Sequence, residues 1–172
     1  LNGKSIFITG GLGLIGSSIV DVLVMYGKVD KIYVGARSKK EFQARFGGFY
    51  SVEYVKYDAL KNLDLDIHPD YIVLGAGLAS PELYTTKPVE TILSNFDGVH
   101  ALLEYSKNNK VQRILYISSS EVYGNKKTED SFREDAYGEV DINNIRSSYA
   151  IAKRASEMLC RAYSSEFGID FV

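Results

Sequence analysis

A doubly wound α/β fold, with a parallel sheet covered by helices on both faces in a three-layer sandwich, is predicted by three observations. Short apolar or β-branched runs alternate with segments of helical periodicity along the chain, the first run ends in a glycine-rich turn, and a long polar segment follows the fifth run. Residues 4–9, 31–36, 52–57, 70–76 and 112–119 read as strands, bounded by Gly, Pro, Asp or Asn. Residues 14–27, 38–46, 88–108 and 147–167 carry apolar residues at helical spacing. Such an alternation joins parallel strands through right-handed helical crossovers. The segment 125–144 is polar, charged and weakly periodic, so it reads as a long loop at the carboxyl edge of the sheet, where open α/β sheets hold ligands.

Composition bounds the function classes. A chain of 172 residues suits one domain, 1–172, large enough to bury a substantial core. A net charge of -2 gives no basis for a nucleic-acid or anionic-membrane partner. The single cysteine, Cys160, excludes a disulfide framework and sits in a helical pattern as a core or interface residue. No apolar run reaches membrane-spanning length and no basic segment leads into an apolar signal region, so the chain reads as cytoplasmic. It opens on Leu1 rather than Met and stops at Ile169-Asp170-Phe171-Val172, which looks like the start of a strand, so a fragment is expected.

Three motifs carry chemistry. The first is Thr9-Gly-Gly-Leu-Gly-Leu-Ile-Gly16, directly after Ile6-Phe7-Ile8. Here Gly10 supplies a tight turn, Gly13 lets backbone approach a pyrophosphate and Gly16 lets the following helix pack closely. Gly10, Gly11, Gly13, Leu14, Ile15 and Gly16 then form the expected cradle, with helix-start amides facing the anion. The same spacing also suits an ordinary glycine turn. The second motif is Tyr149-Ala-Ile-Ala-Lys153, whose spacing puts both side chains on one helical face. A phenol is a poor base near neutral pH, and a nearby ammonium favours its phenolate. Tyr149 could thus take a proton from a sugar hydroxyl while Lys153 also holds the nicotinamide ribose. The alternative is a packed tyrosine and a solvated lysine. The third is Ser118-Ser119-Ser120-Glu121 at the end of the fifth strand, where a hydroxyl can polarise the oxygen that Tyr149 deprotonates, or can simply cap a turn.

TGGLGLIG, SSSEVYG and YAIAK, in that order, resemble the extended short-chain dehydrogenase/reductase family, the nucleotide-sugar epimerases, dehydratases and decarboxylases on a Rossmann domain. Within it, Leu74 to Asn95 and Gly138 to Tyr163, including Arg146-Ser-Ser-Tyr149, look most like UDP-glucuronate decarboxylases. The resemblance implies that Ser119, Tyr149 and Lys153 are catalytic, and that Ser120 and Glu121 occupy the decarboxylases' Ser-Glu pair. It puts Ser80 and Tyr84 beside Ser119 and Ser120 on the sugar side, and Ala76, Gly77 and Asn95 with Tyr149 and Lys153 on the cofactor side. It also implies a smaller C-terminal substrate domain, absent from this chain, and a homodimer through the helices at 88–108 and 147–167.

The subfamilies share hydride removal from carbon 4 and then diverge. A 4,6-dehydratase needs an acid and a base, supplied in the family by an adjacent Asp-Glu pair, and Ser120 is a poor acid. A 4-epimerase leaves Glu121 without an obvious role. In a uronic acid the new ketone is β to the carboxylate, so carbon dioxide can leave while the protein holds the oxyanion and reprotonates carbon 5 through a water positioned by Glu121. The expected function is therefore UDP-glucuronate decarboxylase-like. The alternatives are a 4-epimerase, a 4,6-dehydratase and a catalytically inactive NADP-binding regulator.

The cofactor itself is left open between NAD and NADP. Relatives that prefer NAD end the second strand with an acidic residue, and this chain has Gly35 there, followed by Arg37, Ser38 and two lysines. A 2′-phosphate could be accommodated, or the basic run is a solvated helix start. Asp58, with Ala59, either accepts from the adenine amino group or caps a helix. His68 and His100 have no metal-ligand spacing, and no metal is expected.

Overall fold

The computed structural model describes residues 1–126, 131–135 and 137–172. Its five strands, β1 (Ser5–Thr9), β2 (Lys31–Ala36), β3 (Val52–Lys56), β4 (Tyr71–Leu74) and β5 (Arg113–Tyr116), lie parallel in the order β3-β2-β1-β4-β5. Beyond β5, Phe171 forms a parallel bridge with Ile114, and Tyr116 N donates to Val172 O at 2.8 Å. The last residues therefore begin a sixth strand position, as their composition suggested.

Both faces of the sheet are covered, which is why β1 is a nearly continuous apolar run instead of an alternating one. Its side chains divide between the two layers. Ile6 and Ile8 join Val34 and Val73 against Val20 of α1 (Leu14–Tyr26) and Phe42 and Phe46 of α2 (Lys39–Phe46). Phe7 points the other way, joining Ile72, Leu74 and Ile114 with Leu102 and Leu103 from the long helix Pro88–Asn109 and Cys160 and Tyr163 from the last helix, Ser148–Phe167. Cys160 is thus a core residue.

Local chemistry sets the element ends. The fourth strand stops at Leu74, short of residue 76, because the next amides turn to a side chain of β1. The fifth stops at Tyr116, short of residue 119, because Ser119 caps a 3-10 turn at Ser120–Tyr123. A short helix not anticipated from periodicity, α3 (Pro81–Thr86), begins with Pro in its first turn, where the missing N–H costs nothing. It precedes α4 (Pro88–Asn109), and a second 3-10 turn, Ile145–Ser147, leads into α5 (Ser148–Phe167). The segment read as a loop is pinned by an antiparallel bridge between Asn125 and Glu139, and residues 127–130 and 136 lie outside the described residues. Among the described residues, no helix is long and apolar enough to cross a membrane.

Candidate active site

At the carboxyl end of β1 the chain turns through Gly10, whose φ of +69° falls in the left-handed region that favours glycine. A Cβ at Gly16 would lie 2.4 Å from the Gly10 carbonyl oxygen, so α1 can meet the turn at this distance only without a side chain. Gly13 caps α1 without a side-chain hydrogen bond, and no acidic residue stands in the first turn. The helix-start amides are therefore open to an anion. Leu14 and Ile15 are exposed beside them, while Gly11 is buried against Val34. The turn borders a cleft of about 640 Å³ whose lining includes Gly13, Arg37, Asp58, Ala59 and Ala76.

Thr9, just before the turn, is a residue that motif reading passed over. Its buried hydroxyl donates to Val73 O at 3.2 Å and accepts from Gly75 N at 3.1 Å and Ala76 N at 3.2 Å, using its full hydrogen-bonding capacity to fix the next wall of the cleft. Asn95 acts similarly from behind. Expected to face the cofactor, it is 1% exposed, and its amide donates to Leu78 O at 3.0 Å and Thr91 O at 2.8 Å. Gly77 lies against it so closely that a Cβ would sit 2.3 Å from Asn95 Oδ1. Ser94 accepts from Leu78 N at 3.2 Å and completes the anchorage.

On the second strand, a Cβ at Gly35 would meet the Phe7 ring at 2.9 Å and Tyr57 Cβ at 3.2 Å. The missing carboxylate at that position is thus part of the packing. Ser38 lines the cleft and caps α2, accepting from Glu41 N at 3.2 Å. Glu41 lines the same cleft beside Arg37, a carboxylate that the sequence pattern did not single out. Asp58 Oδ1 accepts from Leu60 N at 3.1 Å, so it holds its own turn as well as lining the cleft.

The Ser-rich segment and the last helix are joined by side chains. Lys153, 6% exposed, donates from Nζ to Ile117 O at 2.7 Å, two residues before Ser119. Ser118 donates to Glu157 at 2.5 Å, one helical turn farther on. Arg154 donates to Val122 O at 2.6 Å and Gly138 O at 2.9 Å. These bonds tie α5, which carries Tyr149, to the segment that carries Ser119, and Tyr149 and Lys153 share a helical face as their spacing required. The Lys153 ammonium lies 4.6 Å from the Tyr116 ring centroid and 5.8 Å from that of Tyr149. Burial pulls its pKa down to about 8, with Glu157 and Cys160 opposing. The Ser119 hydroxyl oxygen accepts from Glu121 N at 3.3 Å, which leaves its proton to donate elsewhere.

The expected sugar-side residues separate. Ser120 and Glu121 border a second, polar cavity of about 400 Å³ with Asn125, Asp141 and Asn144. Arg146 closes on Glu121 with two hydrogen bonds, 3.0 and 2.8 Å, and holds that carboxyl below its ordinary pKa. Tyr84 is 3% exposed, and its hydroxyl donates to Ala79 O at 3.0 Å. Its ring stacks on Tyr149 at 4.4 Å with planes 5° apart, so it serves as a platform for Tyr149 and not as a free hydroxyl. Ser80 caps α3, is exposed, and lies outside the lining of both cavities. Among the described residues, no group of three or more His, Cys, Asp or Glu could hold a metal ion.

The first cleft fits a dinucleotide on its own geometry, since it combines uncapped helix amides, a floor without side chains at Gly10 and Gly13, and a continuous wall to Asp58. Fold and site together define a dinucleotide-type α/β domain with Ser, Tyr and Lys at the carboxyl edge of its sheet. The chain belongs to the NAD dependent epimerase/dehydratase family, whose model matches residues 6–172. It is 32% identical over 171 residues to UDP-glucuronic acid decarboxylase 1 of Danio rerio, covering 97% of this chain and 39% of that one. It is 34% identical over 170 residues to UDP-glucuronic acid decarboxylase 3 of Arabidopsis thaliana, covering 96% of this chain and 48% of the relative. Among solved structures, the UDP-N-acetylglucosamine 4-epimerase of Methanobrevibacter ruminantium M1 superposes with a TM-score of 0.82 at 25% identity, covering 99% of this chain and 54% of the other. The chain thus spans about half the length of its relatives, or less. NAD binding is typical of the family, and a UDP-glucuronic acid 4-epimerase of this fold from Bacillus cereus has been solved with NAD.

Proposed function

We propose that this domain is the cofactor-binding and catalytic half of an enzyme that oxidises carbon 4 of a nucleoside-diphosphate hexose, and that the enzyme is a UDP-glucuronate decarboxylase. The observation that carries the choice is the Arg146 clamp on Glu121 beside Ser120. A dehydratase needs a proton donor at this pair, and a serine next to an ion-paired carboxylate offers none. A decarboxylase needs an acceptor that holds a water near carbon 5, through which carbon 5 takes a proton from solvent once carbon dioxide has left. Bound nicotinamide would supply the hydride acceptor. Tyr149 takes the proton of the carbon 4 hydroxyl, Lys153 stabilises the phenolate and holds the ribose, and Ser119 donates to the reacting oxygen. The relatives named above support this reading. The epimerase reading is favoured by the solved structures and would leave the Glu121 pair idle.

The test is mass spectrometry of products from the intact protein with UDP-glucuronate, UDP-glucose and dTDP-glucose. Loss of carbon dioxide from UDP-glucuronate is expected; loss of water or an unchanged mass would overturn the assignment, the latter calling for a stereochemical assay of epimerisation. A protein without turnover on any of them would be the cofactor-binding regulator.

We also infer that the cleft accepts NADP, because packing leaves no room for a strand-end carboxylate at Gly35 and Arg37, two residues on, lines the cleft. Glu41 in the same cleft opposes a 2′-phosphate, so a Glu41→Gln variant should gain NADP affinity. NAD bound much more tightly than NADP by both proteins would sink the idea. A homodimer is supported by apolar side chains that α4 and α5 leave exposed, among them Val89, Ile92, Leu93 and Met158. Light scattering of a stable monomer would count against it.

A further inference from the structure

The Arg146–Glu121 pair is half exposed on the arginine side, and such pairs add little to stability. Its surroundings are nevertheless unusually organised. Asn144 Oδ1 accepts from Arg146 N at 3.0 Å and so fixes the turn that carries the arginine. The guanidinium forks onto both Glu121 oxygens, and its carbon lies 5.8 Å from the Tyr84 ring centroid. Tyr84 is held at both ends, donating to Ala79 O and accepting at its own carbonyl from Ser148, each at 3.0 Å. Its ring also neighbours Tyr149, in a parallel stack.

We propose that Arg146 is a positioning residue: one guanidinium sets the Glu121 carboxylate and, through the Tyr84 ring, the plane of Tyr149, so that the sugar-side acceptor and the phenol are aligned together. This rests on the carbon 4 chemistry proposed above. A planar fork that takes both oxygens of a carboxylate while its carbon stays within 5.8 Å of an aromatic ring centroid is a geometry that arginine provides and lysine does not. The groups facing Glu121 are Arg146 and Tyr84, with Asp141 on the same cavity. Held by Arg146, Glu121 is an acceptor only and can orient a water without delivering its own proton.

The experiment uses the intact protein with NAD and compares Arg146→Lys, Arg146→Met, Glu121→Gln and the Glu121→Gln/Arg146→Met double variant. Arg146→Met should lower kcat on UDP-glucuronate about 10- to 100-fold, the order that a small misplacement costs, with KM changed much less. Arg146→Lys should fail to restore it. In the Glu121→Gln background, Arg146→Met should add only the part that acts through Tyr149, so the two effects are less than additive. Infrared titration of the Glu121 carboxylate, assigned by its loss in Glu121→Gln, should move up to the ordinary carboxylate range in Arg146→Met. Additive effects on kcat, rescue by lysine, or an unmoved titration would overturn the role of Arg146. The titration needs no turnover, so an unmoved Glu121 overturns the role of Arg146 even if no nucleotide sugar is converted, an outcome that would overturn the proposed function alone.

Discussion

The cleft at the end of β1 and the corner where the Ser-rich segment meets α5 lie on the same edge of one sheet, yet they are held in different ways. The cleft is shaped by backbone and by missing side chains: Gly10 turns in the left-handed region, Gly16 touches a carbonyl, and Gly13 leaves α1 uncapped. The corner is shaped by side chains that span long stretches of sequence. Lys153 reaches back 36 residues to Ile117 O, Arg146 reaches 25 to Glu121, and Ser148 reaches 64 to Tyr84 O. Damage to the first should remove ligand binding outright, whereas damage to the second should leave binding and degrade alignment.

The sharpest way to break this contrast is Gly16→Val. The new Cβ would meet backbone, which cannot swing away, and forced overpacking costs about 1–3 kcal/mol even where side chains can adjust. Calorimetry should show loss of NAD binding together with reduced stability, and unaltered binding would mean the turn is not the pyrophosphate cradle. Tyr149→Phe should do the opposite. It keeps the stacking ring on Tyr84 and removes the proton acceptor, so kcat should fall roughly 10²- to 10⁴-fold while NAD affinity stays within a few-fold. Product formation at the parental rate would remove Tyr149 from the chemistry.

Asn95→Ala probes the region between the two. Its loss strands the Leu78 carbonyl, a penalty of about 1–3 kcal/mol, and loosens the wall at Gly77. Denaturant unfolding should show that loss, with cofactor affinity weakened less than in Gly16→Val. The last effect expected is one of pH, and it leaves the site's geometry untouched. Because burial depresses Lys153 to about 8 in the folded chain against an unfolded value of 10.5, the unfolded chain binds more protons between those limits. This residue's contribution to stability therefore rises as pH goes from about 8 to 10 and is lost as pH falls through 8. The difference in Tm between the parent and Lys153→Met should change by roughly 10 degrees over that window. A constant difference would show that the lysine is not desolvated.

How much was readable from sequence follows the same division. The glycine spacing, the alternation of strands and helices, and the four-residue step from Tyr149 to Lys153 are local patterns, and each corresponds to an element or a shared face in the fold. The short helix at Pro81–Thr86 was missed because six residues are too few for a helical period to show. Arg146 was visible only as part of a family-like stretch, since nothing local links an arginine to a glutamate so far upstream. Tyr84 looked like a free sugar-side hydroxyl, but packing turned it under Tyr149.

By itself, then, the sequence determined the parallel α/β architecture and the phosphate-type turn, because both depend on periodicity and on glycine sterics that act within a few residues. Tertiary structure alone decided that Glu121 is clamped, that Asn95 braces a wall, that Tyr84 is a platform and that Lys153 sits desolvated under the Ser-rich segment. These follow from contacts between elements brought together by the burial of Phe7, Ile72, Leu102 and Ile114, which sequence neighbours do not encode.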